Sequence, residues 1–126
     1  MPVLSKTSLG RLEGVDYRLQ DLCHKLISYW DFSVVYGLRT ESEQAKLVAQ
    51  GLSKTMNSKH LTGKAVDLAP YPIDWNDTKR FYYFAGLVMG VASEMGIKLR
   101  WGGNWDMDYD LNDNNFMDLV HFELIN

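Results

Sequence analysis

Apolar residues recur along this chain in two rhythms, and each change of rhythm marks an element. Leu19, Leu22, Cys23, Leu26, Ile27 and Trp30 share one face at helical spacing, with Asp16 placed to cap the start. Asp31 to Leu38 then turns β-branched and aromatic (Phe32, Val34, Val35, Tyr36), which predicts a strand. Thr40-Glu41-Ser42-Glu43 has the form of a capping box and predicts a helix through Ala45, Leu47 and Val48 to a stop at Gly51. Leu52 to Gly63 is polar and irregular. Lys64 to Leu68 reads as a short strand, after which Pro70 and Pro72 break regular structure. A cap at Asp77 or Thr78 opens the longest helix, with the stripe Phe81, Phe84, Ala85, Val88, Val91, Ala92 and Met95 and a stop at Gly96. Ile97 to Trp101 predicts a strand, Gly102-Gly103 a turn and Trp105 to Met117 an acidic loop. Leu119 to Leu124 is a closing strand on the alternation Leu119, His121, Glu123. Met1 to Gly14 reads as a lead-in that docks Val3, Leu4, Leu9 and Leu12 on the body.

The order helix, strand, helix, strand, helix, strand, strand predicts an α+β fold: a small, mostly antiparallel sheet with helices packed on one side. No repeat, linker or low-complexity tract divides the 126 residues, so a single domain over 1–126 is expected.

Composition narrows the function. A hydrophobic fraction of 46% and a charged fraction of 23% are those of a folded domain, not a disordered one. The net charge of −3 argues against general electrostatic binding to nucleic acid, although 13 Lys and Arg leave room for a local basic patch. The single cysteine, Cys23, excludes an internal disulfide and a thiolate zinc cluster. No stretch approaches the roughly 18 to 20 apolar residues of a membrane span, and the first residues lack the pattern of a secretory signal. No membrane insertion and a monomer are therefore expected.

Three histidines are present, His24, His60 and His121. His24, beside Cys23, reads as a helical surface residue. His60 lies in a polar loop that turns at Gly63 into the strand carrying Asp67, seven positions on. His121 lies on the last strand and can approach from a neighbouring position. Two imidazoles and one carboxylate form a three-ligand zinc set with a fourth position left for water, the arrangement of a catalytic site. The spacing alone fits chance and a surface loop histidine as well.

Further residues extend the pattern. Ser58-Lys59-His60-Leu61-Thr62-Gly63-Lys64-Ala65-Val66-Asp67 resembles the Ser-x-His-x-x-Gly-x-Ala-x-Asp motif of the M15 zinc peptidases. Asp118-Leu119-Val120-His121 resembles their second motif, with an acidic residue three before the last ligand histidine. Gly37-Leu38-Arg39-Thr40, Asp67-Leu68-Ala69-Pro70-Tyr71 and Arg100-Trp101-Gly102-Gly103-Asn104-Trp105 match three further segments in order. The resemblance runs from about Leu9 to Leu124 and is closest to single-domain bacteriophage L-alanyl-D-glutamate endopeptidase endolysins.

That resemblance implies one Zn2+ held by His60, Asp67 and His121, with Asp118 as general base on metal-activated water. Glu123 competes for the base role or orients an imidazole from behind. Arg39 is placed facing substrate, against the alternative of a surface ion pair. Ser58 either binds substrate or shapes its loop. Trp101 and Trp105 either wall the cleft or, for Trp101, fill the core. The implied substrate is bacterial peptidoglycan, reached from the host cytoplasm after a membrane pore opens. A D-alanyl-D-alanine carboxypeptidase or dipeptidase and a non-catalytic zinc-binding wall module are the alternatives. Asp106 to Asp113 alternates oxygen ligands as Ca2+ loops do, but lacks the EF-hand glycine and the bidentate glutamate, which is Met117 here. A looser Ca2+ site and a solvated acidic loop are both open.

Overall fold

The computed structural model describes residues 2–52, 58–104 and 118–125. Its elements are helix α1 (Lys6–Arg11), helix α2 (Tyr17–Leu26), strand β1 (Phe32–Tyr36), helix α3 (Glu41–Ala49), a 3-10 helix (Lys59–Thr62), strand β2 (Ala65–Pro70), helix α4 (Thr78–Glu94), strand β3 (Leu99–Gly102) and strand β4 (Asp118–Leu124). The strands form one antiparallel sheet in the order β1-β2-β4-β3. The α+β expectation is met.

The sheet is sided because side chains alternate along a strand. Val34, Val66, Leu68, Leu99, Trp101, Phe122 and Leu124 join the hydrophobic core with Leu19, Leu22, Leu26, Phe84 and Val88 of the helices. α4 packs across β2, β3 and β4, and α2 packs on α4. The intervening positions carry Asp67, Arg100, His121 and Glu123. Asp67 lies opposite His121, and Arg100 opposite Glu123. The period of two that sends Val66 and Phe122 into the core thus sends the polar set to the other face.

The caps form as the pattern predicts. Asp16 accepts a hydrogen bond from the Arg18 amide, and both halves of the Thr40–Glu43 capping box are present. Gly96 follows α4 at φ 74°, in the left-handed region that glycine adopts without strain.

Several expectations need correction. The lead-in contains a helix, α1, capped by Ser5; six residues are too few for a periodic signal to emerge. Leu4 and Leu12 are buried, whereas Val3 and Leu9 are exposed. Ser8 and Arg11 of α1 take the Val34 N–H and C=O of edge strand β1, which explains why a polar residue, Ser8, is buried there. In α3 the buried residue is Gln44, while Leu47 and Val48 are half-buried and Ala45 is exposed. Pro70 does not break β2 but ends it, opposite Phe32. Among the described residues β4 pairs only with Ala65 to Asp67, so no ladder there is disrupted on that side of β2 at Pro70.

Asp16 ties α2 to the approach to β2. Its carboxylate receives the Arg18 guanidinium at 3.0 Å and Lys64 Nζ at 2.6 Å, and these bonds hold its pKa far below the ordinary value. Asp16→Ala is expected to cost about 1–2 kcal/mol, read by urea denaturation at pH 7. A carboxyl whose folded pKa is depressed stabilises fully above its unfolded value of about 3.9 and loses that contribution as pH falls towards the folded value. The gap between parent and variant is therefore expected to narrow between about pH 5 and pH 2.

Candidate metal centre

Three segments bring the polar set together. The 3-10 helix carries His60 and is capped by Ser58, whose hydroxyl accepts the His60 amide at 3.2 Å. The chain then turns at Gly63, at φ 72°, where an added Cβ would lie 2.6 Å from the Gly14 carbonyl oxygen. Only glycine fits both the conformation and the approach. β2 presents Asp67, and β4 presents His121 directly opposite.

The result is a buried convergence of donor atoms. His60 Nε2 lies 3.0 Å and His121 Nδ1 3.2 Å from the same oxygen, Asp67 Oδ1. One ligand atom from each of the three residues lies within 4.8 Å of the other two. The far nitrogens are also engaged: His60 Nδ1 meets the Gly37 carbonyl and His121 Nε2 meets Glu123 Oε1, each at 2.8 Å. Each imidazole therefore has an acceptor oxygen at both nitrogens. A neutral imidazole has one N–H, so its other lone pair would face an oxygen lone pair. The arrangement is satisfied only when positive charge sits among these atoms, as protons or as a metal ion. That is the fit a bound cation requires, and the outer acceptors fix the rings as they do around metal centres.

The electrostatics agree. Burial disfavours a charged His121, but hydrogen bonds to Asp67 and Glu123 outweigh it and raise its pKa to about 9. Burial likewise opposes ionised Asp67, yet His121 and His60 hold it well below the usual carboxylate range. Glu123, bonded to His121 and to Arg100 Nη2 at 2.8 Å, is held at about 2 despite its burial. Lys59 Nζ lies 3.5 Å from it.

Asp118, at the start of β4, differs from the other two acids. Burial and then the Asp67 charge raise its pKa, against the pull of His121 and His60. It lies three positions before His121, a spacing that would alternate to the opposite face of a regular strand. The pairing is not regular: Trp101 lies opposite Phe122, but the next residue, Gly102, lies opposite Asp118. A Cβ at Gly102 would come 2.0 Å from the Asp118 carbonyl oxygen, so glycine permits this approach. Asp118 also lines a cavity of about 230 Å3 with Trp75, Phe81, Leu119 and Val120.

Arg39 is buried at 8% exposure, not on the surface. It donates to Gln44 Oε1 at 2.8 Å, lies 3.9 Å from Asp67 Oδ2, and sits 4.8 Å over the Tyr36 ring. Its Nε has no hydrogen-bond partner among the described residues. Arg39 and Ser58 share the lining of a larger cavity, of about 630 Å3. Trp101 is a core residue whose indole donates to the Leu119 carbonyl, and His24 is exposed on α2. Trp105 and the Asp106–Asp113 segment lie outside the described residues. Sequence reasoning missed Gln44, Lys59 and Arg100. The only trace of Gln44 was a polar residue inside an amphipathic helix, and Arg100 became significant only once β3 and β4 were in register.

A two-histidine, one-carboxylate set on the polar face of a small antiparallel sheet is a candidate metal site of the kind metallohydrolases use. Comparison with known proteins narrows it. The phage L-alanyl-D-glutamate peptidase family matches residues 2–125, and the chain belongs to that family. It is similar to the L-alanyl-D-glutamate peptidase of Escherichia phage T5, 37% identical over 116 residues, covering 86% of this chain and 85% of that protein. The crystal structure of the Serratia marcescens L-Ala D-Glu endopeptidase ChiX superposes with a TM-score of 0.80 at 32% identity, over 96% of this chain and 88% of that one. Among the described residues no helix is long and apolar enough to cross a membrane.

Because Asp67 and Glu123 keep a proton on His121 up to about pH 9, a metal ion must displace it. Zn2+ affinity of the stripped protein is expected to rise about tenfold per pH unit between pH 6.5 and 8.5, read by chelator competition. A flat profile would count against His121 as a ligand.

Proposed function

We propose that this peptidase is a zinc-dependent endopeptidase that cuts the L-alanyl-D-glutamate bond in the stem peptides of bacterial peptidoglycan. The observation that carries the reading is the convergence of His60, Asp67 and His121 on one point, in a chain of this family. Two imidazoles and one carboxylate suit Zn2+, whereas Ca2+ and Mg2+ favour more oxygens. His60 Nε2, Asp67 Oδ1 and His121 Nδ1 would hold the ion. When bound, it supplies Lewis acidity to the attacking water and the scissile carbonyl.

The chain supplies the rest. The Gly37 carbonyl and Glu123 keep the two rings turned towards the common point. Asp118 is the general base: its carboxylate takes a proton from the attacking water and passes it to the nitrogen leaving with D-glutamate. A raised pKa suits this task, since such a carboxylate holds a proton more readily than an ordinary one. Glu123 suits it poorly, being engaged by His121 at one oxygen and Arg100 at the other, with a pKa of about 2. Its role is to orient His121. Arg39, whose Nε–H has no partner among the described residues, and Ser58 line the cavity that would take a substrate carboxylate. The whole chain acts as one catalytic domain, made in the host cytoplasm and reaching the wall once the membrane is breached.

Digestion of purified disaccharide-peptides, followed by mass spectrometry, tests the bond. L-Alanine still carrying the disaccharide and a peptide beginning with D-glutamate are expected; release of only D-alanine or its dipeptide would overturn the assignment. Asp118→Asn is expected to keep Zn2+ and lose roughly 10²–10⁴-fold in kcat. Glu123→Gln is expected to weaken Zn2+ binding by about 10–100-fold while the fold persists, measured by competition titration and circular dichroism.

A further inference from the structure

The segment between β2 and α4 presents an aromatic residue that the chemistry above leaves unused. Trp75 is 58% exposed, although its ring stacks on Phe81 with centroids 5.6 Å apart and planes 15° from parallel. Arg80 pins the segment by donating to the Pro72 and Tyr71 carbonyls. Trp75 is therefore held in place, supported by Phe81, with more than half its surface open. Its indole N–H makes no hydrogen bond among the described residues. It lines the 230 Å3 cavity that also holds Asp118.

The register sets this cavity against the other one. β4 runs from Asp118, beside Trp75, through His121 to Leu124, whose carbonyl accepts from Lys59 Nζ. Lys59 lines the 630 Å3 cavity with Arg39 and Ser58. The aromatic cavity and the one lined by Lys59, Arg39 and Glu41 thus lie towards opposite ends of β4, with the His60–Asp67–His121 centre between them. Seven strand residues span about 20 Å, well beyond the roughly 7 Å of a dipeptide. A substrate crossing the centre along this strand would meet both cavities.

Resting on the function proposed above, we propose that the Trp75 cavity is a carbohydrate subsite that takes the muramyl sugar on the L-alanine side of the scissile bond. The two sides of that bond differ in charge. The D-glutamate side carries free carboxylates, which Lys59 and Arg39 attract in a cavity that Glu41 also lines. The alanine side leads to an amide-linked pyranose, whose C–H face stacks on an open aromatic ring and whose hydroxyls can accept the free indole N–H. The enzyme would therefore prefer stems still attached to glycan.

The test compares two substrates with the same peptide, one carrying N-acetylmuramic acid on L-alanine and one carrying only an acetyl group. The ratio of kcat/KM, sugar-linked over sugar-free, is expected to fall about tenfold in Trp75→Ala, through KM, with Trp75→Phe in between. An unchanged ratio in a folded variant would overturn the proposal. A second readout needs neither a variant that folds nor catalysis: muramyl disaccharide without peptide is titrated into the 15N-labelled parent protein. A shift of the Trp75 indole resonance is expected, and no shift at millimolar sugar would overturn the subsite. If the parent cleaves neither substrate the endopeptidase reading fails, and the titration still judges the subsite on its own.

Discussion

Asp67 Oδ1 is the point on which this site depends. One oxygen receives two imidazoles from two different segments, and both rings are held from behind by further acceptors. With neutral rings and ionised carboxylates these oxygens are short of protons, so positive charge, as protons or as a metal ion, belongs among them. Everything around it keeps the donors in place. Gly63 lets the His60 turn close against Gly14, the β2–β4 register sets Asp67 opposite His121, and Arg39 stands behind the second Asp67 oxygen.

The fold makes this affordable by separating its two faces. Burying Asp67, His121, Glu123 and Arg39 would be costly if they shared the apolar core. The alternation of the strands instead gathers Asp67, His121 and Glu123 on the face opposite α4, where they partner one another and Arg39. The same sidedness keeps the three acids distinct. Asp67 and Glu123 are paired with positive partners and stay ionised, whereas Asp118, nearer the Trp75 cavity, is raised by burial and by the Asp67 charge. Three carboxylates within one short stretch of sheet thereby acquire different chemical characters.

Much of this was legible in the residues. The stripe from Leu19 to Trp30, the capping box at Thr40 and the stop at Gly96 each rest on local physics, and each element forms, although α2 ends at Leu26 and leaves Trp30 beyond it. His60, Asp67 and His121 were legible as a set through the order of the motifs around them. Helix α1 was not, because six residues carry too little periodicity. Nor was the burial of Gln44, because the reason for it is Arg39, which reaches Gln44 only after the chain has folded.

The sequence by itself therefore determined the element types and their order apart from α1 and the 3-10 helix, the sheet-and-helix class and the identity of the candidate ligands, since each follows from periodicity, caps or a short motif. Tertiary structure alone decided the rest. The irregular register at Gly102 sets where Asp118 falls relative to His121, and pairing of β3 with β4 brings Arg100 to Glu123. Folding also turned Arg39 inward and left Trp75 outward. These outcomes depend on strand register and on contacts between residues far apart in the chain, which no local pattern encodes.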